Sequence, residues 1–166
     1  MVFSVKSNSF NDGDYLSLDH ILSSEVGFGC AGGNKSPHLA WAGAPAGTKS
    51  FAVTCYDPDA PTGSGFWHWV VVNIPMNATE LVLDAGNPKL SLLPRGALQT
   101  RTDYGTPQYG GPCPPPGDHP HRYLFTVFAV GLDQLQVTPD TSAAIVGFQL
   151  NLNTLSKVAI MGLYKR

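Results

Sequence analysis

Charge is what this sequence has least of. Asp, Glu, Lys and Arg make up 13% of its 166 residues, where an average globular protein carries about a quarter. Lys and Arg number ten, form no basic run and leave a formal charge of −2. The chain therefore lacks the electrostatic footprint of a nucleic-acid binder. No stretch approaches the ~18 uninterrupted apolar residues of a membrane span, which argues against an integral membrane segment. Met1 to Asn8 lacks the apolar core of a secretory signal, and these absences together predict a cytoplasmic protein. Cys30, Cys55 and Cys113 are widely spaced and form no Cys-x-x-Cys pair. That spacing predicts neither a zinc knuckle nor a disulfide framework and fits a reducing compartment.

Recognisable catalytic and cofactor motifs are missing as well. There is no Gly-x-Ser-x-Gly elbow, and Cys113 has no cation beside it in sequence, so no activated nucleophile and no catalytic residue can be named. Gly27-Phe28-Gly29-Cys30-Ala31-Gly32 satisfies the dinucleotide fingerprint. That fingerprint needs a strand before it and a helix after it, and Pro37 stands where the helix would run. Lys35-Ser36 mimics the end of a P-loop, yet Asn34 replaces its last glycine. The expectation is a protein with no cofactor and no bound metal.

What the chain does have is punctuation and short apolar runs. Gly 18 and Pro 14 mark turns in a loop-rich domain of ordinary size, with no linker or repeat to divide residues 1–166. Phe51 to Tyr56 alternates as a strand does, and Pro58 and Pro61 end it. Trp69 to Ile74 and Tyr123 to Val130 are continuous apolar runs, the pattern of strands covered on both faces. After Pro139 the apolar residues fit either period. Length favours a helix to Leu155, with Asp140 as its N-cap, followed by a last strand from Lys157 to Tyr164. The loop Gly105 to Pro120 carries six prolines, each fixing its own φ and restricting the residue before it, which makes it stiff.

Polar residues gather where these strands begin and end: Asp57-Pro58-Asp59-Ala60-Pro61, His68 between Trp67 and Trp69, and His121-Arg122-Tyr123. Each has a plain structural explanation. Asp-Pro-Asp closes turns through its own backbone N–H groups, and a histidine between tryptophans can be a satisfied half-buried side chain. Strand ends are also where rigid scaffolds hold functional groups.

Taken in order, Asp57-Pro58-Asp59-Ala60-Pro61, Trp67-His68-Trp69, Val71-Val72-Asn73, Gly111-Pro112-Cys113-Pro114-Pro115 and His121-Arg122-Tyr123 resemble the signature of phosphatidylethanolamine-binding proteins, also called Raf-kinase-inhibitor-like proteins. The resemblance extends from about residue 8 to the C-terminus and is to the compact bacterial branch. It implies a mainly β, two-sheet fold with one or two short peripheral helices. It also implies a small pocket for phosphate, phosphoryl or carboxylate groups, walled by Asp57, Asp59, His68, Pro114, Pro115, His121 and Tyr123. The partners it implies are a small anionic or phosphorylated ligand, a protein such as a kinase that the chain would regulate, and a second copy in a homodimer. Departures include Cys113, where animal members carry glycine, and Pro116, where many members have lysine.

Two aspartates beside an anion would repel it. A phosphomonoester whose second pKa is about 6 can keep a proton to donate, and a histidinium from His68 or His121, which ordinarily titrate nearby, would offset the rest. Three readings therefore stand: an anion-binding module, a hydrolase using the Asp/His cluster, and a dimeric interaction protein whose pocket is vestigial. His/Asp pairs are also a metal-ligand type.

Overall fold

The computed structural model describes residues 1–166. In chain order the elements are β1 (Ser4–Lys6), β2 (Leu39–Ala42), β3 (Ser50–Asp57), β4 (Phe66–Pro75), β5 (Glu80–Leu81), β6 (Leu98–Gln99), β7 (His121–Val130), α1 (Ala143–Asn153) and β8 (Thr154–Tyr164). Short 3-10 turns at Leu18–His20 and Ser24–Val26 complete them. The strands form two antiparallel sheets, ordered β1-β2-β5 and β6-β4-β3-β7-β8. The fold is thus mainly β, with one α-helix at its edge.

The apolar runs of β3, β4 and β7 occupy the centre of the five-stranded sheet, and successive residues feed opposite layers as the pleat requires. Phe51, Val53, Cys55, Trp69, Val71, Phe125 and Val127 pack on one side, toward Leu39, Trp41 and Leu81 of the small sheet. Ala52, Val70, Val72 and Val130 pack on the other, with Ala143, Val146 and Leu150 of α1. A fully buried aromatic such as Phe125 sits where truncation to alanine costs about 3–5 kcal/mol.

The helix starts later than its sequence suggests. Ser142 is the N-cap, its hydroxyl accepting from Ile145 N–H at 3.3 Å. Asp140 lies in the preceding turn. Capping needs an oxygen one residue before the first helical position, and Ser142 supplies it. The last strand follows without a loop, so Thr154 and Ser156 already pair with β7, with Leu155 bulged between them.

The expectation from cysteine spacing fails. Cys30 and Cys113 form a disulfide across a sequence separation of 83, with Cα atoms 5.9 Å apart; Cys55 is the free, buried thiol. Spacing rules register local motifs, whereas this bridge joins two loops that only the folded chain brings together. It ties the glycine-rich loop after Val26 to the proline-rich loop before β7.

Candidate functional site

The antiparallel order places the end of β3 beside the starts of β4 and β7. Asp57 pairs with Phe66, and Tyr56 with Leu124. Three strand ends therefore deliver Asp57, His68, His121 and Tyr123 to one edge of the sheet, where they line a cavity of about 170 Å³. Pro114 and Pro115 line it too, with Phe28, Ala60, Pro61, Thr62, Phe66, Tyr104 and Cys113. This is small against the ~300–1,000 Å³ of a drug-sized pocket, so it suits one terminal group of a ligand.

His68 reaches the cavity through a bulge. Cys55 pairs with Trp69 and Tyr56 with Trp67, so β4 spends one extra residue, His68, between partners that are adjacent on β3. An extra residue bends the strand and re-aims its side chains. Trp67 and Trp69 accordingly pack into opposite layers, and His68 stands beside Phe66 and Tyr123, with ring centroids 4.9 and 5.3 Å away. Its Nδ1 donates to the Gly110 carbonyl at 2.7 Å, because a carbonyl only accepts. That fixes Nε2 as the nitrogen without a protein partner. Burial pushes the His68 pKa down, against the opposing pull of that carbonyl and of Asp57. Burial thus favours the neutral ring at His68, so of the two histidines named for a histidinium His121 is the better placed.

Asp57 is buried and fully engaged. Its Oδ1 accepts from Asp59 N–H at 2.8 Å and its Oδ2 from His121 Nδ1 at 2.8 Å. The other His121 nitrogen, Nε2, faces Asp118 Oδ2 at 2.8 Å. Burial alone would lower the His121 pKa, but the hydrogen bonds to Asp118 and Asp57 outweigh it and the net direction is up. Tyr123 is buried, its pKa pushed up by burial and by Asp57, so it remains a phenol. Its hydroxyl finds no hydrogen-bond partner in the protein. Tyr104, likewise held protonated by burial, donates to the Gly111 carbonyl at 2.9 Å.

Asp59 is not part of the cavity lining. It turns outward and clamps Arg122, with Oδ1 to Nη2 at 2.9 Å, Oδ2 to Nε at 3.0 Å, and Oδ2 also accepting the Arg122 backbone N–H at 2.9 Å. Of its neighbours in the Asp-Pro-Asp-Ala-Pro run, Ala60 and Pro61 line the cavity instead.

The stiff loop is locked from behind. Gly110 N–H donates to the His68 carbonyl at 3.0 Å and Gly111 N–H to Asn34 Oδ1 at 2.7 Å. A side chain at Gly111 would collide with the His20 backbone. With Pro112, Pro114 and Pro115 lacking an N–H, Cys113 keeps the one main-chain donor of Gly110 to Pro115 that is without a protein partner. Sequence reasoning missed Phe28, Tyr104 and Arg166. Arg166 donates to the carbonyls of Pro114, at 2.7 Å, and Phe28, at 3.2 Å, joining both walls. Tyr104 had a signal, since Asp103-Tyr104-Gly105 leads into the proline-rich loop; Phe28 lay inside the spurious dinucleotide motif.

Comparison with known proteins agrees with this architecture. The family model for phosphatidylethanolamine-binding protein matches residues 6–165. The chain is 51% identical over 163 residues to YbcL of Escherichia coli, covering 98% of this chain and 87% of that protein. It is 49% identical over 158 residues to YbhB of the same organism, covering 95% and 97%. The crystal structure of YbcL, described as a new member of the mammalian PEBP family, superposes with a TM-score of 0.95 over 99% of this chain and 98% of that one. A homologue from Chlamydia trachomatis, 23% identical, shares the fold at a TM-score of 0.80 over 99% and 98%. No helix is long and apolar enough to cross a membrane. On sequence, architecture and the convergence of these strand ends, the chain belongs to the phosphatidylethanolamine-binding protein family.

Proposed function

We propose that this protein is a binding module whose cavity takes a phosphoryl group carrying its own proton, presented on a small molecule or a protein. The Tyr123 hydroxyl carries the reading: it is buried, lines the cavity and has no partner in the protein. Buried polar groups in native proteins are almost always satisfied, and one that is not points to a ligand or water. Beside it, His68 Nε2 is a free acceptor. Neither Lys nor Arg lines the cavity, and the His121 ring there is already paired with Asp57 and Asp118, so a phosphate dianion would meet no unpaired cation and one carboxylate. A monoanion can donate its P–OH to His68 Nε2 and accept from Tyr123. Binding then strengthens from pH 8 to pH 6 because the ligand gains a proton at about pH 6, with no protonation of His68 required. A carboxylate, unprotonated over that range, binds more weakly.

The site supports binding over turnover. Cys113 is consumed in the disulfide, and burial, with Asp57 adding to it, pushes the Cys55 thiol pKa up. Phosphorus-31 NMR of phosphoserine or phosphoethanolamine held with the protein should show line broadening without release of phosphate. Steady phosphate release, lost in His68→Ala, would establish the hydrolase instead.

The homodimer expectation gains support, and the cytoplasmic one loses it. α1 leaves Ile145, Phe148 and Leu152 exposed, an apolar face that favours the homodimer; light scattering should show dimers that Phe148→Glu dissociates. The disulfide favours an oxidising compartment over the cytoplasm.

A further inference from the structure

At the rim of the cavity, Asp118, His119 and the cavity-lining His121 bring three metal-ligating groups together, with their ligand atoms all within 4.8 Å of one another. We propose that they form a binding site for a divalent cation of the zinc class, with Asp57 as the outer partner that orients His121. This goes beyond the phosphoryl cavity and does not depend on it.

Hydrogen bonding already presents the required lone pairs. A metal-bound histidine commonly donates its other ring N–H to a carboxylate or carbonyl, which fixes the tautomer and aims the free nitrogen. Both rings here do so. His121 Nδ1 donates to Asp57 Oδ2 at 2.8 Å, and that carboxylate is itself pinned by Asp59 N–H. His119 Nδ1 donates to the Pro120 carbonyl at 2.9 Å. Each Nε2 is left facing one carboxylate: His121 Nε2 lies 2.8 Å from Asp118 Oδ2, and His119 Nε2 lies 3.9 Å from Asp118 Oδ1. At His121, where the separation is 2.8 Å, a lone pair opposite a carboxylate oxygen needs a positive centre between them. In the metal-free protein a proton fills that place; a cation can fill it for both rings at once.

The fit requires little movement. Zinc bonds of about 2.0–2.2 Å in tetrahedral geometry set neighbouring ligand atoms roughly 3.3 Å apart. His121 is buried, with 1% of its side chain exposed, whereas the His119 side chain is 61% exposed and is the one that shifts inward to complete the site. Pro120 between them fixes the chain in an extended form, and residues two apart on an extended chain face the same side. Two imidazoles and one carboxylate suit zinc, copper or nickel rather than calcium or magnesium. Three protein ligands leave a fourth position for water or a ligand oxygen.

The test uses the full chain without a histidine tag, stripped with chelator and titrated calorimetrically with Zn²⁺ alone. Wild type should bind one equivalent, and Co²⁺ should give the visible bands of a tetrahedral site. His119→Gln, a surface change that leaves the fold intact by circular dichroism, should weaken Zn²⁺ by at least about tenfold and abolish those bands. Asp57→Asn should weaken it about 10–100-fold as an outer-partner loss. Zn²⁺ binding that is absent in wild type, or unchanged in His119→Gln, would overturn the proposal.

Discussion

His121 Nδ1 and Asp57 Oδ2 lie 2.8 Å apart with 1% and 3% of their side chains exposed, so the pair forms a charge-assisted hydrogen bond shielded from solvent. It joins the end of β3 to the start of β7 and holds the floor of the cavity. Asp57→Asn keeps the shape and weakens the acceptor facing His121. The expected loss is about 1.5–3 kcal/mol, the range for a hydrogen bond to a charged group. Urea unfolding checks it: the midpoint should fall with an unchanged slope, and an unchanged midpoint would show that the bond adds nothing net.

Asp59 tests the outward-facing side of the same turn. The side-chain hydrogen bond from Arg122 holds its pKa at about 2, against 3.8 for the free group. A depressed pKa contributes stability that is present above the unfolded value and lost as pH falls through the folded one. The Arg122 side chain is 52% exposed, so solvent screens the pair and keeps its contribution small. The wild-type advantage over Asp59→Asn in thermal melts should hold at pH 5 to 7 and fade from about pH 4 to 2. An advantage that persists at pH 2 would contradict the ion-pair account.

Closing a loop across a separation of 83 residues restricts the unfolded chain, and such cross-links typically contribute about 2–4 kcal/mol. Reduction, or the paired change Cys30→Ser with Cys113→Ser, should lower Tm by roughly 4–16 °C. Mass spectrometry of the alkylated, unreduced protein should find Cys55 as its one free thiol. Labelling of all three would remove this bridge from the account.

The central strands were legible because β3 alternates and is ended by Pro58 and Pro61, while β4 and β7 are apolar on both faces, which leaves one arrangement: a sheet covered on both sides. Asp57, His121 and Tyr123 were legible because they sit at the ends of those strands. His68 was recognised, but the reason it reaches the cavity was not. In a regular strand Trp67 and Trp69 would share a face, and the bulge that separates them depends on pairing with Tyr56 and Cys55. Asp59 illustrates the reverse: its motif joins it to Asp57, yet local turn geometry sends the two carboxylates to different partners. The disulfide and Arg166 act between segments distant in sequence, and neither leaves a local pattern.

The central claim is that Tyr123 and neutral His68 receive a protonated phosphoryl group. Calorimetric titration with inorganic phosphate at pH 6 and pH 8, on wild type and Tyr123→Phe, tests it most directly, with acetate as the comparison. Wild type should bind more tightly at pH 6 than at pH 8 and prefer phosphate to acetate. Tyr123→Phe should bind about tenfold more weakly at pH 6, the worth of roughly 1.4 kcal/mol for one hydrogen bond. Equal affinities for wild type and Tyr123→Phe, or tighter binding at pH 8, would contradict the account.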